Sequence, residues 1–372
     1  MAGSFDLTVV SPPGDGITSL RFHGEDALLA SSWDGTVRAW AVDADAGTSV
    51  ATRVFETSAP VLDACFAEGG TAACSGGLAA AVSRHDLATG ETAVIGAHDD
   101  AVKCVLWDEA TRCVLSAGWD ATLKCWDLRL PAETRCVRAE TLPGKAYAAS
   151  LHAAASPTTP STPSTQQQRP NHDPNPDRIV VATSGRHVLV ARPSDLLAGK
   201  GFERRLESPL ARQTRCVACL PDGSGYVLTS AEGRVAWCPF EDEGQYNFKC
   251  HRAKEKDPNT NAGREGLEPS SSLVAETIHP VHAAAFHPRG AFATGGGDGL
   301  VNVWDGARRK RLHQYPAFET GVAALAFSAS GGLLAAATSY GGEQGDADAP
   351  APAIRARRVG NDEVTFRGVG NK

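Results

Sequence analysis

The sequence predicts an all-β fold, a seven-bladed β-propeller whose ring is closed by pairing of its N- and C-terminal segments. Three observations predict it. A hairpin pattern returns at a nearly fixed interval; the two intervals that are too long hold compositionally distinct insertions; and the last unit lacks a strand that the N-terminus can supply.

The unit is clearest in Ser31 to Trp40. Leu28 to Ser32 reads as a short buried strand, Asp34-Gly35 as the dipeptide of a two-residue hairpin turn, and Thr36 to Trp40 as a half-buried strand. A second copy is Ser75-Gly76-Gly77 followed by Val82 to Leu87. The third is Ser116 to Asp120 followed by Thr122 to Asp127, and Trp33 to Trp119 spans 86 residues, two steps of 43. The fourth is Thr183-Ser184-Gly185 with His187 to Ala191, the fifth Thr229 to Gly233 with Arg234 to Trp237, and the sixth Thr294 to Gly299 with Leu300 to Asp305. Leu333 to Tyr340 begins a seventh, which resumes as Ala353 to Val359; Ser4 to Val10 is the candidate for its fourth strand, so the termini should be neighbours.

The steps from Trp119 to Gly185 and from Gly233 to Gly297 are 66 and 64 residues. Each exceeds the repeat by about twenty residues, which calls for an insertion in each. Residues 153–177 are dominated by Pro, Ser, Thr and Gln, with no large apolar residue between Ser156 and Pro176, and predict a disordered loop. Residues 253–272 are charged and rich in Gly, Asn and Ser, predicting a long surface loop, and 341–352 predict a flexible loop in the last blade. The 372 residues therefore form one domain, since no blade buries both faces without its neighbours.

A formal charge of -7 argues against gripping nucleic acid over the whole surface, though a local basic patch is compatible with it. With no signal peptide, no 18-residue apolar run and no Asn-x-Ser/Thr sequon, a soluble intracellular protein is expected. Cys65, Cys74, Cys104, Cys113 and Cys125 sit singly in strand patterns, as reduced core residues do. Cys216 and Cys219 have metal or redox spacing, but positions three apart on a strand face opposite ways. The glycines of Thr294 to Gly299 lack the Lys-Ser/Thr and helix of a phosphate loop. No nucleophile, base and orienting group fall into a catalytic pattern, so the expectation is a protein that is not an enzyme and has no cofactor or metal.

Trp33 and Trp119 each precede a turn Asp, where a small or polar residue is usual. Either the rings cover neighbouring blades, or they are binding anchors on one rim. Bases gather in Arg212 to Cys216, Glu232 to Val235 and Phe248 to Arg252; Arg215 begins an inner strand and Arg234 follows a hairpin turn, so both belong to the rim that carries the two tryptophans. Guanidinium groups fixed there suit a carboxylate or phosphate, against the plainer reading of solvated strand ends. Arg308 to Arg311 reads as an exposed loop before it reads as a nuclear-entry signal, and Ser156-Pro, Thr159-Pro and Thr162-Pro are candidate proline-directed phosphorylation sites.

A period near 43 with Trp126-Asp127 and Trp304-Asp305 closing third strands is similar to WD-repeat propellers. His98, Ser116, Asp120 and Trp126 match that family's structural polar set in order. Within it, Asp15 to Phe22, Ser31 to Asp34, Pro60 to Asp63, Gln213 to Cys216, Gly225 to Leu228, Glu232 to Val235, Phe248 to Arg252 and Val301 to Gly306 together resemble the Bub-three spindle-checkpoint family, its plant and algal members above all. The resemblance implies a monomeric, non-enzymatic adaptor in heteromeric complexes at kinetochores, on chromosomes in the nucleus, with a cytoplasmic pool compatible. Its implied partners are checkpoint kinases carrying GLEBS motifs and a kinetochore scaffold phosphorylated on Met-Glu-Leu-Thr repeats, with the anaphase-promoting complex reached through the mitotic checkpoint complex. Ubiquitin binding stays open, and neither direct nucleic-acid nor membrane binding is implied. By motif position Arg234 and Lys249 match phosphothreonine-binding residues and Arg215 a contact to GLEBS glutamates, while Trp33 falls on the peptide-facing rim, where Trp119 joins it as a peptide-binding candidate.

Three stretches depart from the pattern: blade two has no turn Asp in Ser75 to Ala79, blade four has Ala191-Arg192 for Trp-Asp, and Trp237-Cys238-Pro239 leaves the peptide path beside the phosphate site open. Two other readings remain. The sister Rae-type mRNA-export factors share the fold, the GLEBS-binding face and the start Val10 to Pro13; and Trp126-Asp127-Leu128-Arg129 fits the box of cullin-ligase substrate receptors.

Overall fold

The computed structural model describes residues 5–152, 177–241, 243–254, 276–340 and 350–365. Seven of its eight sheets contain four antiparallel strands each, and the eighth is a two-stranded ribbon. Blade one is built from Ile17–His23, Ala27–Ser32, Thr36–Asp43 and Thr48–Glu56, in that order from the ring's axis outward. Blades two to six repeat the order, starting from inner strands Val61–Ala67, Val102–Asp108, Ala146–His152, Thr214–Cys219 and Val281–Phe286. Blade seven takes Val322–Phe327, Leu333–Thr338 and Ala353–Arg358 from the C-terminal region and its outer strand, Leu7–Thr8, from the N-terminal one. Leu7 pairs with Ala356 and Thr8 with Arg355, which joins the two ends of the described chain in one sheet.

Second strands are buried throughout in most blades, as in Ala72–Gly77, Cys113–Gly118 and Leu333–Thr338, because both of their faces meet a neighbouring blade. Seven separate apolar clusters result, one in each gap between adjacent blades. Trp40 and Ile354 fill the gap between blades seven and one, for example, and Val227, Val281 and Phe292 the gap between five and six. Among the described residues no blade has a core of its own, so the ring is the folding unit.

The hairpin turns differ from the two-residue expectation. Trp33, Asp34 and Gly35 separate the strands of blade one, Gly35 N–H donates to Ser32 O, and Gly35 alone takes a positive φ, of 79°. This is a type I turn followed by a left-handed residue, for which Asp34 is suited because its Oδ1 accepts from Thr36 N–H at 2.9 Å. The left-handed position is Ala80 in blade two, Ala121 in blade three, Gly233 in blade five and Gly299 in blade six.

The first insertion, apart from Asp177, lies outside the described residues, as do 341–349 of the last-blade loop. Of the second insertion, 255–272 also lie outside the described residues. Arg252–Lys254 is a strand paired with Glu276–Ile278, so a two-stranded ribbon stands between blades five and six before the chain leaves the described residues.

Candidate functional site

Alternating strand directions put the turn between second and third strands at the same end of each blade as the link entering the next blade. This end is the upper face. A repeated bond knits it together: the first turn residue donates its N–H to the carbonyl just before the inner strand, Trp33 to Gly16, Leu78 to Pro60, Trp119 to Ala101, Ser184 to Lys145, Ala231 to Gln213, Gly297 to Pro280 and Ser339 to Gly321. Every inner strand also carries a bulge at its second position. The bulged residues are Thr18, Leu62, Lys103, Tyr147, Arg215, His282 and Ala323, and all seven line the upper part of a central cavity of about 330 Å³. Arg215 therefore stands in the channel mouth. Lys103, Tyr147 and His282, which sequence reasoning missed, complete a polar arc with it over four consecutive blades; the signal was the residue just after each inner strand begins.

Trp33 is 45% exposed on the upper rim, with its ring lying along Gly16, where a Cβ would come within 3.2 Å of Cδ1. Trp119 occupies the equivalent turn in blade three but is half-buried, with Lys145 Nζ of blade four 5.6 Å from its ring centre and its Nε1 enclosed without a hydrogen-bond partner among the described residues. Trp33 thus offers the freer surface, and Trp119 spans the gap to its neighbour.

In blade five, Arg234 and Lys249 are directly opposed on adjacent antiparallel strands, so their side chains leave the same face of the sheet. Arg234 Nη1 donates to Asn247 Oδ1 at 3.0 Å, and Glu232 Oε2 lies 3.9 Å from its Nε. Lys249 is exposed and, like Arg215, has no ion-pair partner among the described residues. Directly opposed like charges are unfavourable, and an anion between them relieves the repulsion. The adjacent bases behave differently. His251 is buried, and Arg252 bonds to Glu276 at 2.9 Å and to the Glu232 carbonyl at 2.8 Å, so both hold the fold together.

His98, Ser116, Asp120 and Trp126 form one buried chain of hydrogen bonds. Trp126 Nε1–H donates to Ser116 Oγ at 2.8 Å, Ser116 lies 2.7 Å from His98 Nε2, and His98 Nδ1 lies 2.9 Å from Asp120. Since the indole only donates and a carboxylate only accepts, the protons run in that order through a neutral imidazole. Burial pushes the His98 pKa down against the pull of Asp120. Burial opposes ionisation of Asp120 too, but bonds from Asp99 N–H, Thr122 and His98 hold its pKa below the usual carboxylate range. Blade six repeats the chain as Trp304, Thr294, His251 and Asp298, with bonds of 2.9, 2.9 and 2.8 Å. Blade two puts His85 where tryptophan is usual, bonded to Ser75 at 2.7 Å and Thr92 at 2.9 Å.

The remaining motifs have structural surroundings. Cys216 Sγ contacts Ala284 O of blade six and Cys219 Sγ contacts Ser150 O of blade four, in opposite directions. In Arg308 to Arg311, Arg308 pairs with Asp305 at 2.8 Å and Arg309 stacks 4.4 Å from the Tyr246 ring centre. Arg129 pairs with Asp127 at 2.7 Å on the lower face. Trp237 lies three residues beyond Arg234 and packs among Tyr246, Phe286 and Phe292, which removes it from the upper rim.

The family model described as "WD domain, G-beta repeat" matches residues 6–41, 90–127 and 271–305. The chain is 39% identical to "Mitotic checkpoint protein BUB3.1" of Arabidopsis thaliana, covering 95% of this chain and 93% of the relative. It is 32% identical to "Mitotic checkpoint protein bub-3" of Caenorhabditis elegans, over 99% and 94% of the two chains. It is also 32% identical to "Poly(A)+ RNA export protein" of Schizosaccharomyces pombe, over 91% and 86%. By its repeats, its seven-bladed ring and its similarity to these checkpoint proteins over nearly the whole length, the chain belongs to the Bub3 family of WD-repeat proteins.

Proposed function

We propose that the protein is a non-enzymatic adaptor of the mitotic spindle checkpoint, acting in the nucleus and at kinetochores, and that its upper face binds acidic peptide segments. The observation that carries this reading is the opposed pair Arg234 and Lys249, two bases on one face of one sheet with, among the described residues, a single carboxylate 3.9 Å from one of them. A phosphothreonine brings up to two negative charges and three acceptor oxygens, enough for both bases. The Met-Glu-Leu-Thr repeats implied by the family resemblance are the ligand proposed for this pair. Arg215, in the channel mouth with Lys103, suits the carboxylates of a GLEBS motif on a checkpoint kinase, with Trp33 as an apolar anchor beside the route. These sites lie on one face, so a single complex could engage both.

Affinity purification from dividing cells tests the assignment. Recovery of checkpoint kinases and kinetochore scaffold, lost on Arg215→Glu, is the expected result. The similarity to an RNA-export protein favours a second reading, action at nuclear pores through the same face. Recovery of nucleoporins without checkpoint kinase would establish that reading instead.

A further inference from the structure

We infer that Ser11 is a phosphorylation site for a proline-directed kinase, and that a phosphate there acts through Arg38 to release the turn that carries Trp33. Ser-Pro occurs twice among the described residues, and the fold treats the two differently. Ser208 is buried, and its Oγ accepts from Leu210 N–H at 3.2 Å, so a kinase does not reach it. Ser11 is exposed, follows the exposed Val10, and its hydroxyl has no hydrogen-bond partner among the described residues. Pro12 lacks the N–H that any other residue in its place would leave unpaired in an apolar kinase pocket. The backbone is poised as well. Ser11 holds φ at 49°, a left-handed conformation that its Cβ disfavours and the following proline disfavours further, so a local opening relaxes it toward the extended form of a kinase substrate.

The bonds around Ser11 set what its phosphate does. Residues 9–16 run from the closing strand of blade seven to the inner strand of blade one and are strapped down by their carbonyls. Trp40 Nε1 donates to Val10 O at 2.8 Å, Arg38 Nη1 to Ser11 O and Pro12 O at 3.1 Å each, Ser32 Oγ to Asp15 O at 2.9 Å, and Trp33 N–H to Gly16 O at 2.9 Å. Arg38 is the cation among these donors. Its Nη2 also lies 3.2 Å from Asp34 Oδ2, and Asp34, next after Trp33, accepts in turn from Gly14 N–H at 2.8 Å and Thr36 N–H at 2.9 Å. One guanidinium thus joins the strap to the turn. In the transfer, Ser11 Oγ attacks the terminal phosphorus of ATP, the bond to the bridging oxygen breaks, ADP leaves with that electron pair, and the hydroxyl proton passes to the kinase's base. The product stands beside the guanidinium that its own carbonyl already engages, and brings up to two negative charges against one on Asp34. Arg38 follows the stronger anion. The phosphate then repels Asp34, and the bond from Gly14 to the turn opens.

The test is incubation of the full chain, carrying Ser156→Ala, Thr159→Ala and Thr162→Ala, with ATP and a cyclin-dependent kinase, followed by mass spectrometry and amide hydrogen exchange. These changes leave Ser11 and Ser208 as the residues that precede a proline with a hydroxyl. One phosphate is expected, on Ser11 and not on Ser208, and none after Ser11→Ala, an exposed change that should leave the circular dichroism spectrum unaltered. Exchange at Gly14 and Thr36, the two amides held by Asp34, should rise about tenfold on phosphorylation. Arg38→Gln should show the raised rate without phosphate and no further rise with it. Absence of phosphate on Ser11 of the folded chain would overturn the site. Unchanged exchange in the phosphorylated chain, or an equal rise with and without Arg38, would overturn the route through Arg38.

Discussion

At the scale of single residues, the polar groups divide between those consumed by the fold and those left to a ligand. Ser116 belongs to the first set, because it alone satisfies both the Trp126 indole N–H and His98 Nε2. Ser116→Ala leaves both buried and unpaired, and should cost about 1–3 kcal/mol in a urea titration. An unchanged midpoint would mean that water replaces the hydroxyl. His85 makes the same interior sensitive to acid. Its environment lowers its pKa from 6.5 to about 4, through burial. An unfolded chain takes up a proton there near pH 6.5 and the folded one does not, so this contribution to stability is complete above about 6.5 and lost as pH falls through 4. The loss is on the order of 3 kcal/mol. Thermal melting should therefore drop over that window, and drop less in His85→Gln; parallel curves would remove His85 as a cause. Arg234, Lys249 and Arg215 fall in the second set under the proposed function, and one weak carboxylate neighbour is all the counter-charge found near them among the described residues.

At the scale of strands and blades, closure depends on a very short element. Leu7 and Thr8 are the whole outer strand of blade seven, and Val9, fully buried, extends it by donating its N–H to Ile354 O. Val9→Asp places an unpaired charge in the gap between blades seven and one and should cost about 3–5 kcal/mol or prevent folding. A wild-type unfolding midpoint would contradict that account of the closure. Period, hairpin residues and the missing strand were legible in the sequence because each blade repeats one pattern of burial. The turn length was misread because Asp-Gly is also the pair favoured in two-residue turns, and only backbone angles show that Asp34 keeps a negative φ. Within the basic stretch Phe248 to Arg252, sequence could not separate Lys249 from His251 and Arg252. Strand alternation turns Lys249 outward, whereas His251 follows the strand's end and drops into the core of blade six. The ribbon escaped notice because its two strands have three residues each and stand on either side of an insertion.

At the scale of the whole molecule, an acidic chain concentrates Lys103, Arg215, Arg234 and Lys249 on the upper face of blades three to five. The bulge ring and the repeated turn-to-link bond hold these groups on a rigid frame, so binding an acidic segment needs little reorganisation. Long-range attraction to such a face is screened over about 8 Å at physiological salt, and association with an acidic peptide should slow as salt rises. The adaptor account is tested most directly by titrating wild type and Arg234→Glu with one Met-Glu-Leu-Thr peptide, phosphorylated and unphosphorylated, at low and physiological salt. Phosphorylation should tighten binding to wild type by at least tenfold, more at low salt, and Arg234→Glu should erase the difference without altering the circular dichroism spectrum. Equal affinity of wild type for the two peptides would contradict it.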